Sequence, residues 1–489
     1  MNIAKSLLLG TAAGLVAVAG AQAADMPVKA KPVQYVKICS LYGDGFYYIP
    51  GTDTCLKMGG YVRVQLEYNM GAGGVALGSG AGEGAQARQT RDHTNDFNYR
   101  SRGAISWDVR QQTEYGTLRT YIRTGIQVTT PVDTEGGAVF WDRAFIQFAG
   151  FTVGKTQSFF DLFTYGGGMS YHNVRTAGDT GAAGLTVWGY TAQFGNGFSG
   201  TLSAESPIGH NRASVLDVTA ANFFNANGAV VGDNAFSSNA GNGFRMPDVI
   251  ANLRVDQAWG FVGVSGAIHD ASGAYFLTAN NVNNGHPADK LGWAVAVGGL
   301  LNVGGGSQAG INFAYAEGAT GYVTNIGSGM SIYNASTSVG FGWVSDGVFA
   351  GGTEVELTRA WSINAAYQHI WNPKWRTSVF GGYVNIDYGS NATALICAFR
   401  GNLGATIGAA QPVGFNCSPD FSFFEVGTRT QWNPVPQLDI GLEILYSKLN
   451  TAFKGPANVA ANGSRPGVTQ IDDQDVWSAM FRWQRNFYP

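Results

Sequence analysis

Sixteen stretches of this chain alternate apolar and polar residues with a period of two, and the connections between them alternate short and long. In "LKMGGYVRVQLEYN", Leu56, Met58, Val62, Val64, Leu66 and Tyr68 share one face. Lys57, Tyr61, Arg63, Gln65, Glu67 and Asn69 share the other. "FNYRSRGAISWDVRQQ" sets Phe97, Tyr99, Ile105, Trp107 and Val109 against Asn98, Arg100, Arg102, Ser106, Asp108 and Arg110. The pattern predicts strands at 56–70, 97–111, 116–130, 138–149, 151–158, 184–194, 198–206 and 247–258. It predicts eight more at 260–270, 290–303, 307–318, 354–371, 375–389, 421–432, 437–450 and 474–488. The short connections read as turns, such as "TEYG", "GNGF", "QAWG" and "GGGS". "WNPKW" and "NPVPQ" set the same Trp-Asn-Pro turn between two strand pairs, as if one end of the sheet reused it.

A strand that is apolar on one side and carries arginines on the other suits a wall between lipid and water. Lipid cannot satisfy the open edges of a sheet, so a spanning sheet must close. The fold class expected is all-β: a transmembrane, 16-stranded, antiparallel up-and-down β-barrel with a third loop folded inward. About sixteen strands enclose an aqueous lumen. Composition agrees: charged residues are 13%, about half the usual share, while aromatics reach 13% and glycines number 70. Beyond residue 23 no run of about 18 apolar residues appears, so no transmembrane helix is expected.

The chain opens with Lys5, an apolar run from Leu7 to Ala19 and the small-residue site Ala21-Gln22-Ala23. Residues 1–23 read as a secretory signal peptide. Its removal takes one positive charge and leaves 29 basic and 33 acidic residues, a formal charge of −4. Without a basic patch, no nucleic-acid partner is expected. Four cysteines in an exported chain point to disulfides. Cys39–Cys55 and Cys397–Cys417 are the local pairs, though other pairings are open on sequence. Without a C-x-x-C or a nearby histidine pair, no metal or cofactor is expected.

At this level the chain resembles the alphaproteobacterial porins. The stretches that carry the resemblance are "AADMPVKAKPVQYVKICSLYGDGFYYIPGTDTCLKMGGYVRV", "VGKTQSFFD" leading to the third long connection, and the terminal aromatic strand. The resemblance covers essentially the whole chain and implies a homotrimer of barrels in the Gram-negative outer membrane. Its partners would be outer-membrane lipid, lipopolysaccharide, and the small hydrophilic solutes and ions that pass. The chain then divides into the signal peptide, a periplasmic segment 24–55 holding one cysteine pair, and a barrel over 56–489.

Selectivity in such a hole is set at its narrowest section. The constriction candidate is the third long connection, about 159–183, with acids Asp161 and Asp179 and counterweights Arg175 and His172. Arg63, Arg100, Arg102, Arg119 and Arg123 share the inward parity of the first three strands. Running the strands up and down places Arg63, Arg102 and Arg123 near mid-height, while Arg110 and Arg119 fall near a turn and read as plain lining. Asp161 could equally hold the loop by capping backbone N–H groups, and His172 reads as an ordinary polar loop residue. The facing of Arg143 is open. Phe159 and Phe160 are expected to anchor the loop, and Tyr35, Tyr47 and Tyr48 to pack below the barrel. Trp107, Trp141, Trp259, Trp371, Trp375, Trp432 and Trp483 fall near strand ends, where an aromatic girdle belongs.

The expected function is a porin for passive diffusion of small hydrophilic solutes and ions. An outer-membrane barrel enzyme is the first alternative. The six histidines are scattered and no G-x-S-x-G occurs, so no enzyme is expected. A soluble exported β-sandwich adhesin is the second. The chain closes on "VWSAMFRWQRNFYP". It is expected to pair with the first strand, with Trp477, Phe481 and Trp483 to lipid and Ser478, Arg482 and Gln484 to water. The resemblance makes such an aromatic strand the signal for the insertion machinery. Family members usually stop at the position of Phe487, and this chain adds Tyr488 and Pro489, which would lie beyond the paired region.

Overall fold

The computed structural model describes residues 37–71, 75–76, 97–130, 137–163, 168–172, 175–181, 183–208, 214–219, 241–276, 282–326, 329–335, 338–398, 414–459 and 468–487. The expected signal peptide, Tyr35 and the Tyr488-Pro489 extension lie outside the described residues.

Sixteen of the described strands form the barrel. They are β1 (Cys55–Tyr68), β2 (Phe97–Thr113), β3 (Gly116–Thr130), β4 (Ala138–Phe148), β5 (Phe151–Thr156), β6 (Leu185–Gly195), β7 (Phe198–Glu205) and β8 (Asp248–Gln257). The others are β9 (Gly260–Asp270), β10 (Leu291–Gly304), β11 (Ser307–Glu317), β12 (Arg359–Asn372), β13 (Trp375–Asp387), β14 (Phe421–Trp432), β15 (Leu438–Asn450) and β16 (Gln474–Asn486). Each pairs antiparallel with the next, for example Cys55↔Arg110 through Tyr68↔Phe97 between β1 and β2. β16 returns to β1 in register from Tyr61↔Asn486 to Tyr68↔Ala479, which closes the sheet. The sequence pattern located all sixteen, with ends off by a few residues. The largest trim is at β12, which begins at Arg359 and not at 354, and β5 stops at Thr156, which releases the third long connection early.

Closure turns period two into two surfaces. Val62 and Val64 are 51% and 50% exposed on the outside, while Gln65 and Glu67 on the alternate parity are buried within. The outer face holds aromatic neighbours at the long-loop end: Trp293–Tyr315, Trp361–Tyr383 and Tyr446–Trp477 have ring centroids 5.4, 5.2 and 5.1 Å apart. At the turn end, Trp375 and Trp432 stack at 6.0 Å. Amphipathic rings at both rims suit the two interfaces of a bilayer. Trp107 departs from the expectation: it pairs with Met58 and Ile122, well inside its strand, and is only half-exposed.

Short strand Tyr47–Tyr48 folds back on the start of β1, pinned by the Cys39–Cys55 disulfide. The Arg110 guanidinium sits 5.6 and 4.9 Å from the Tyr42 and Phe46 ring centroids and fixes this segment under the turn end.

The long-loop end carries structure that period-two reading passed over. Ser214–Asp217, Ser345–Phe349 and Glu356–Leu357 form one small sheet. Gly329–Ala335, Ser338–Trp343, Val468–Ile471 and Gly455–Val459 form another. Helix α1 (Gly389–Ala398) is tied to the chain beyond it by the Cys397–Cys417 disulfide. A buried apolar core joins them, with Trp343 between Tyr388 and Phe453 at 5.4 and 5.5 Å. These segments need one another to bury their apolar faces, so no single one announces itself locally.

Candidate functional site: a loop seated across the lumen

The described residues of the third long connection, which joins β5 to β6, run through the barrel and are received by wall glycines. An added Cβ at Gly189 of β6 would lie 2.5 Å from the Phe159 ring. At Gly263 of β9 it would meet Leu162 at 2.7 Å, and at Gly310 of β11 the Phe163 ring at 2.4 Å. Gly382 of β13 would meet Thr176 at 2.1 Å, and Gly441 of β15 the Tyr171 hydroxyl at 2.1 Å. Glycine inside a strand marks a close approach, and here the visitor is the loop. Phe159 anchors against the wall as expected. Phe160 turns instead onto Tyr322 of the connection between β11 and β12, with centroids 4.6 Å apart.

A loop has its own unpaired backbone groups, and these must find partners if they are to be buried. The wall of β12–β16 supplies them. Glu443 of β15 accepts the Tyr171 and His172 N–H groups at 2.6 and 3.2 Å. Glu425 of β14 accepts those of Arg175 and Thr176 at 3.0 and 3.4 Å. Loop carbonyls are answered as well: Met169 by Ser378 Oγ at 2.6 Å, Thr176 by Asn364 Nδ2 at 3.0 Å, Gly168 by Arg429. Arg482 of β16 donates to the Tyr171 carbonyl at 2.9 Å and lies 4.0 Å over its ring. Asp439 takes the Tyr171 hydroxyl at 2.6 Å; burial first, then this carboxylate, pushes that phenol's pKa up.

His172 is the charged centre of this seat. Its Nδ1 lies 2.8 Å from Glu443 Oε1 and its Nε2 3.7 Å from Glu425 Oε2, with all three side chains fully buried. Burial alone would drive its pKa down, but the two carboxylates outweigh that and hold it at about 9. The residue expected to be ordinary is therefore a cation between two acids.

The loop acids face the loop itself. Asp161 accepts the Thr180 N–H at 2.8 Å and its hydroxyl. Asp179 lies beside it; burial first, then the Asp161 charge, raises its pKa well above the carboxylate range. The Arg175 side chain is buried and donates to the Ile326 carbonyl at 3.3 Å, while Thr324 and Asn325 bond to the Arg175 and Asp179 carbonyls. So Asp161, Asp179 and Arg175 sit together on the side of the loop that meets the connection between β11 and β12.

The wall that continues from β16 through β1, β2 and β3 carries the arginines. In register across β16, β1, β2 and β3 stand Gln484, Arg63, Arg102 and Gln127. One step outward stand Arg482, Gln65, Arg100 and Thr129. Arg63 Nε donates to Gln484 Oε1 at 2.7 Å, and Arg482 Nε to Gln65 Oε1 at 3.1 Å. Arg100 Nη2 and Arg102 Nε share Gln127 Oε1 at 2.6 and 3.0 Å. Arg123 pairs instead with Asp142 at 3.1 Å. Arg143, whose facing was open, points inward and donates to the Gly181 carbonyl at 2.7 Å. Arg110 and Arg119 share Asp108 near the turn, at 2.8 and 3.0 Å.

Sequence reasoning missed Glu425, Glu443 and Asp439, the glutamines, and the glycine sockets. The signal for the acids was present: each lies on the inward parity of its strand, beside Arg429, Gln431 or Gly441.

A family model described as Porin subfamily matches residues 25–480. This chain belongs to that porin family. Porin Omp2b of Brucella suis is 34% identical over 272 residues, covering 54% of this chain and 65% of the relative. Porin Omp2b of Brucella abortus (strain 2308) is 34% identical over 274 residues, covering 54% and 64%. The matched stretch thus spans just under two thirds of those relatives' length. Among solved structures, the outer membrane channel DcaP of Acinetobacter baumannii superposes with a TM-score of 0.57 at 14% identity, covering 90% of this chain and 99% of that one. It shares the fold. As a family member with a closed barrel and an apolar outer face, this porin resides in the outer membrane.

Proposed function

We propose that this porin forms a water-filled channel for passive diffusion of small hydrophilic solutes and ions, and that its narrowest section lies between the seated loop and the arginine wall. The observation that carries the reading is the loop itself. It runs through a closed sixteen-stranded barrel and is held by Glu425, Glu443 and Asp439 on β14 and β15, leaving Arg63, Arg102 and Arg123 on β1–β3 outside that seat. A charged wall across a narrow opening lets a hydrated solute reorient its dipole and keep favourable contacts. An apolar solute must shed water there without replacement. The porin family and the porin-named relatives support a channel over an enzyme. A homotrimer, with lipid and lipopolysaccharide around it, follows from the family.

Planar bilayers test the reading directly. Purified protein should give stepwise, ohmic conductance, with steps grouped in threes if the trimer is right. Failure to produce discrete conductance steps would remove the channel assignment.

A further inference from the structure

Resting on that channel reading, the geometry points to an oxyanion-binding site on the lumen wall, built from Arg63 and Arg102 with Arg100 behind them. Its ligands are the carboxylate or phosphate groups of small permeating anions.

Five other guanidinium groups on the lumen wall meet carboxylates: Arg119 and Arg110 at Asp108, Arg123 at Asp142, Arg254 at Asp256, Arg376 at Asp439, all within 3.2 Å, while Arg143, Arg429 and Arg482 donate to carbonyls of the seated loop. Arg63, Arg100 and Arg102 meet amide oxygens instead, those of Gln484 and Gln127. Among the described residues, no carboxylate lies within 4.0 Å of these three. A glutamine oxygen orients a guanidinium without cancelling its charge. It also occupies only part of a fork that carries five N–H donors.

The neighbouring acids are committed. Asp142 pairs with Arg123, and Glu67 on the same strand is buried and takes the Gln65 amide. Glu425 on β14 and Glu443 and Asp439 on β15 bond to the loop and to His172. Asp179 is held towards its neutral form. The aromatic rings of Tyr61 and Phe140 lie 4.9 and 4.3 Å from the Arg63 and Arg102 guanidinium carbons and limit their movement. Both side chains remain half-exposed to the lumen, at register positions directly opposite each other. Two fixed forks side by side, with donors to spare and, among the described residues, no carboxylate within 4.0 Å, fit a planar carboxylate or a phosphate.

The test uses the full-length protein in planar bilayers under a KCl gradient, then with inorganic phosphate or succinate added. The wild-type reversal potential should lie on the chloride side, and at least one of the two oxyanions should block the chloride current. Block by phosphate alone assigns the site to phosphate groups, and block by succinate alone to carboxylates. Arg63→Gln with Arg102→Gln should abolish both the block and the chloride preference. Arg63→Lys with Arg102→Lys should keep the sign of the reversal potential yet weaken block by about tenfold, the equivalent of one charge-assisted hydrogen bond. Arg254→Gln with Asp256→Asn, which removes a lumen ion pair without changing the net charge, should leave both readouts unchanged. A wild-type channel without chloride preference, or one blocked by neither anion, overturns the site while leaving the porin reading intact. Absence of any conductance step would instead remove the porin reading.

Discussion

The two walls of this lumen use charge in opposite ways. On the β12–β15 wall, Glu425, Glu443 and Asp439 are consumed by backbone N–H groups, a histidine and a tyrosine hydroxyl. On the wall formed by β16, β1 and β2, Arg63, Arg100 and Arg102 are oriented by glutamines and keep their charge. Both sets are inward-facing charged residues on neighbouring strands, yet one works as a socket and the other as a surface. The difference lies in what faces each. A loop with orphan donors sits against the acids, while Arg63 and Arg102 are left half-exposed to the lumen. Counting charges over the whole chain, near neutral at −3, conceals this division.

If the acids are a socket, removing one should unseat the loop. Glu443→Ala leaves His172 and two backbone N–H groups without their acceptor in a fully buried place. Truncating one partner of a buried ion pair costs about 3–5 kcal/mol. The expected outcome is a noisier channel with frequent larger openings, read in single-channel traces. A quiet Glu443→Ala channel with wild-type conductance would show that the loop is held by its apolar contacts alone.

The same socket should respond to alkali. The His172 pKa stands raised, at about 9 against an ordinary 6.5, so the folded state binds the proton more tightly than the unfolded one. Its contribution is therefore complete below about pH 6.5 and is lost as pH rises through about 9. At 1.36 kcal/mol per unit this is on the order of 3 kcal/mol. Open-channel noise should rise between pH 7 and pH 10 in the wild type. In His172→Gln it should already be raised at pH 7 and change little with pH. A wild-type channel that is equally quiet at both pH values would deny His172 its charge.

Sterics can probe the socket without touching charge. At Gly441 an added methyl meets the Tyr171 hydroxyl and, at 3.0 Å, the Thr430 carbonyl oxygen. Overpacking of this kind costs about 1–3 kcal/mol. Gly441→Ala should thus raise the noise less than Glu443→Ala does, with the reversal potential unchanged because no charge moves. A shift in selectivity from this variant would mean that the seated loop also sets the charge at the opening.

The barrel was legible because closure repeats one local rule sixteen times. Each strand alternates by itself, so Val62 and Val64 outward with Arg63 and Gln65 inward could be read without knowing their neighbours. The arginine wall was legible for the same reason. The socket was not, because its chemistry joins residues as far apart as His172 and Glu443, 271 positions along the chain. Strand glycines such as Gly310 and Gly382 gave a clue of close approach. Among 70 glycines, though, nothing local separates a socket from a turn. The sheets and helix at the long-loop end stayed hidden because their apolar residues are buried only against one another.

The smallest expected effect concerns Asp161, the acid that lies in the third long connection but not in the socket. Were it part of a filter facing the arginines, Asp161→Asn would move the reversal potential as far as Arg102→Gln does, in the opposite direction. Its carboxylate instead accepts the Thr180 N–H at 2.8 Å and the Thr180 hydroxyl, and an asparagine at this position could still accept one of these through its amide oxygen. Asp179, released from a neighbouring charge, would ionise more readily and restore part of the lost negative potential. Asp161→Asn should therefore change the reversal potential only slightly while loosening the loop by about 1 kcal/mol, the net worth of an ordinary hydrogen bond. Equal and opposite shifts from Asp161→Asn and Arg102→Gln would place the acid in the filter and erase the contrast between the two walls.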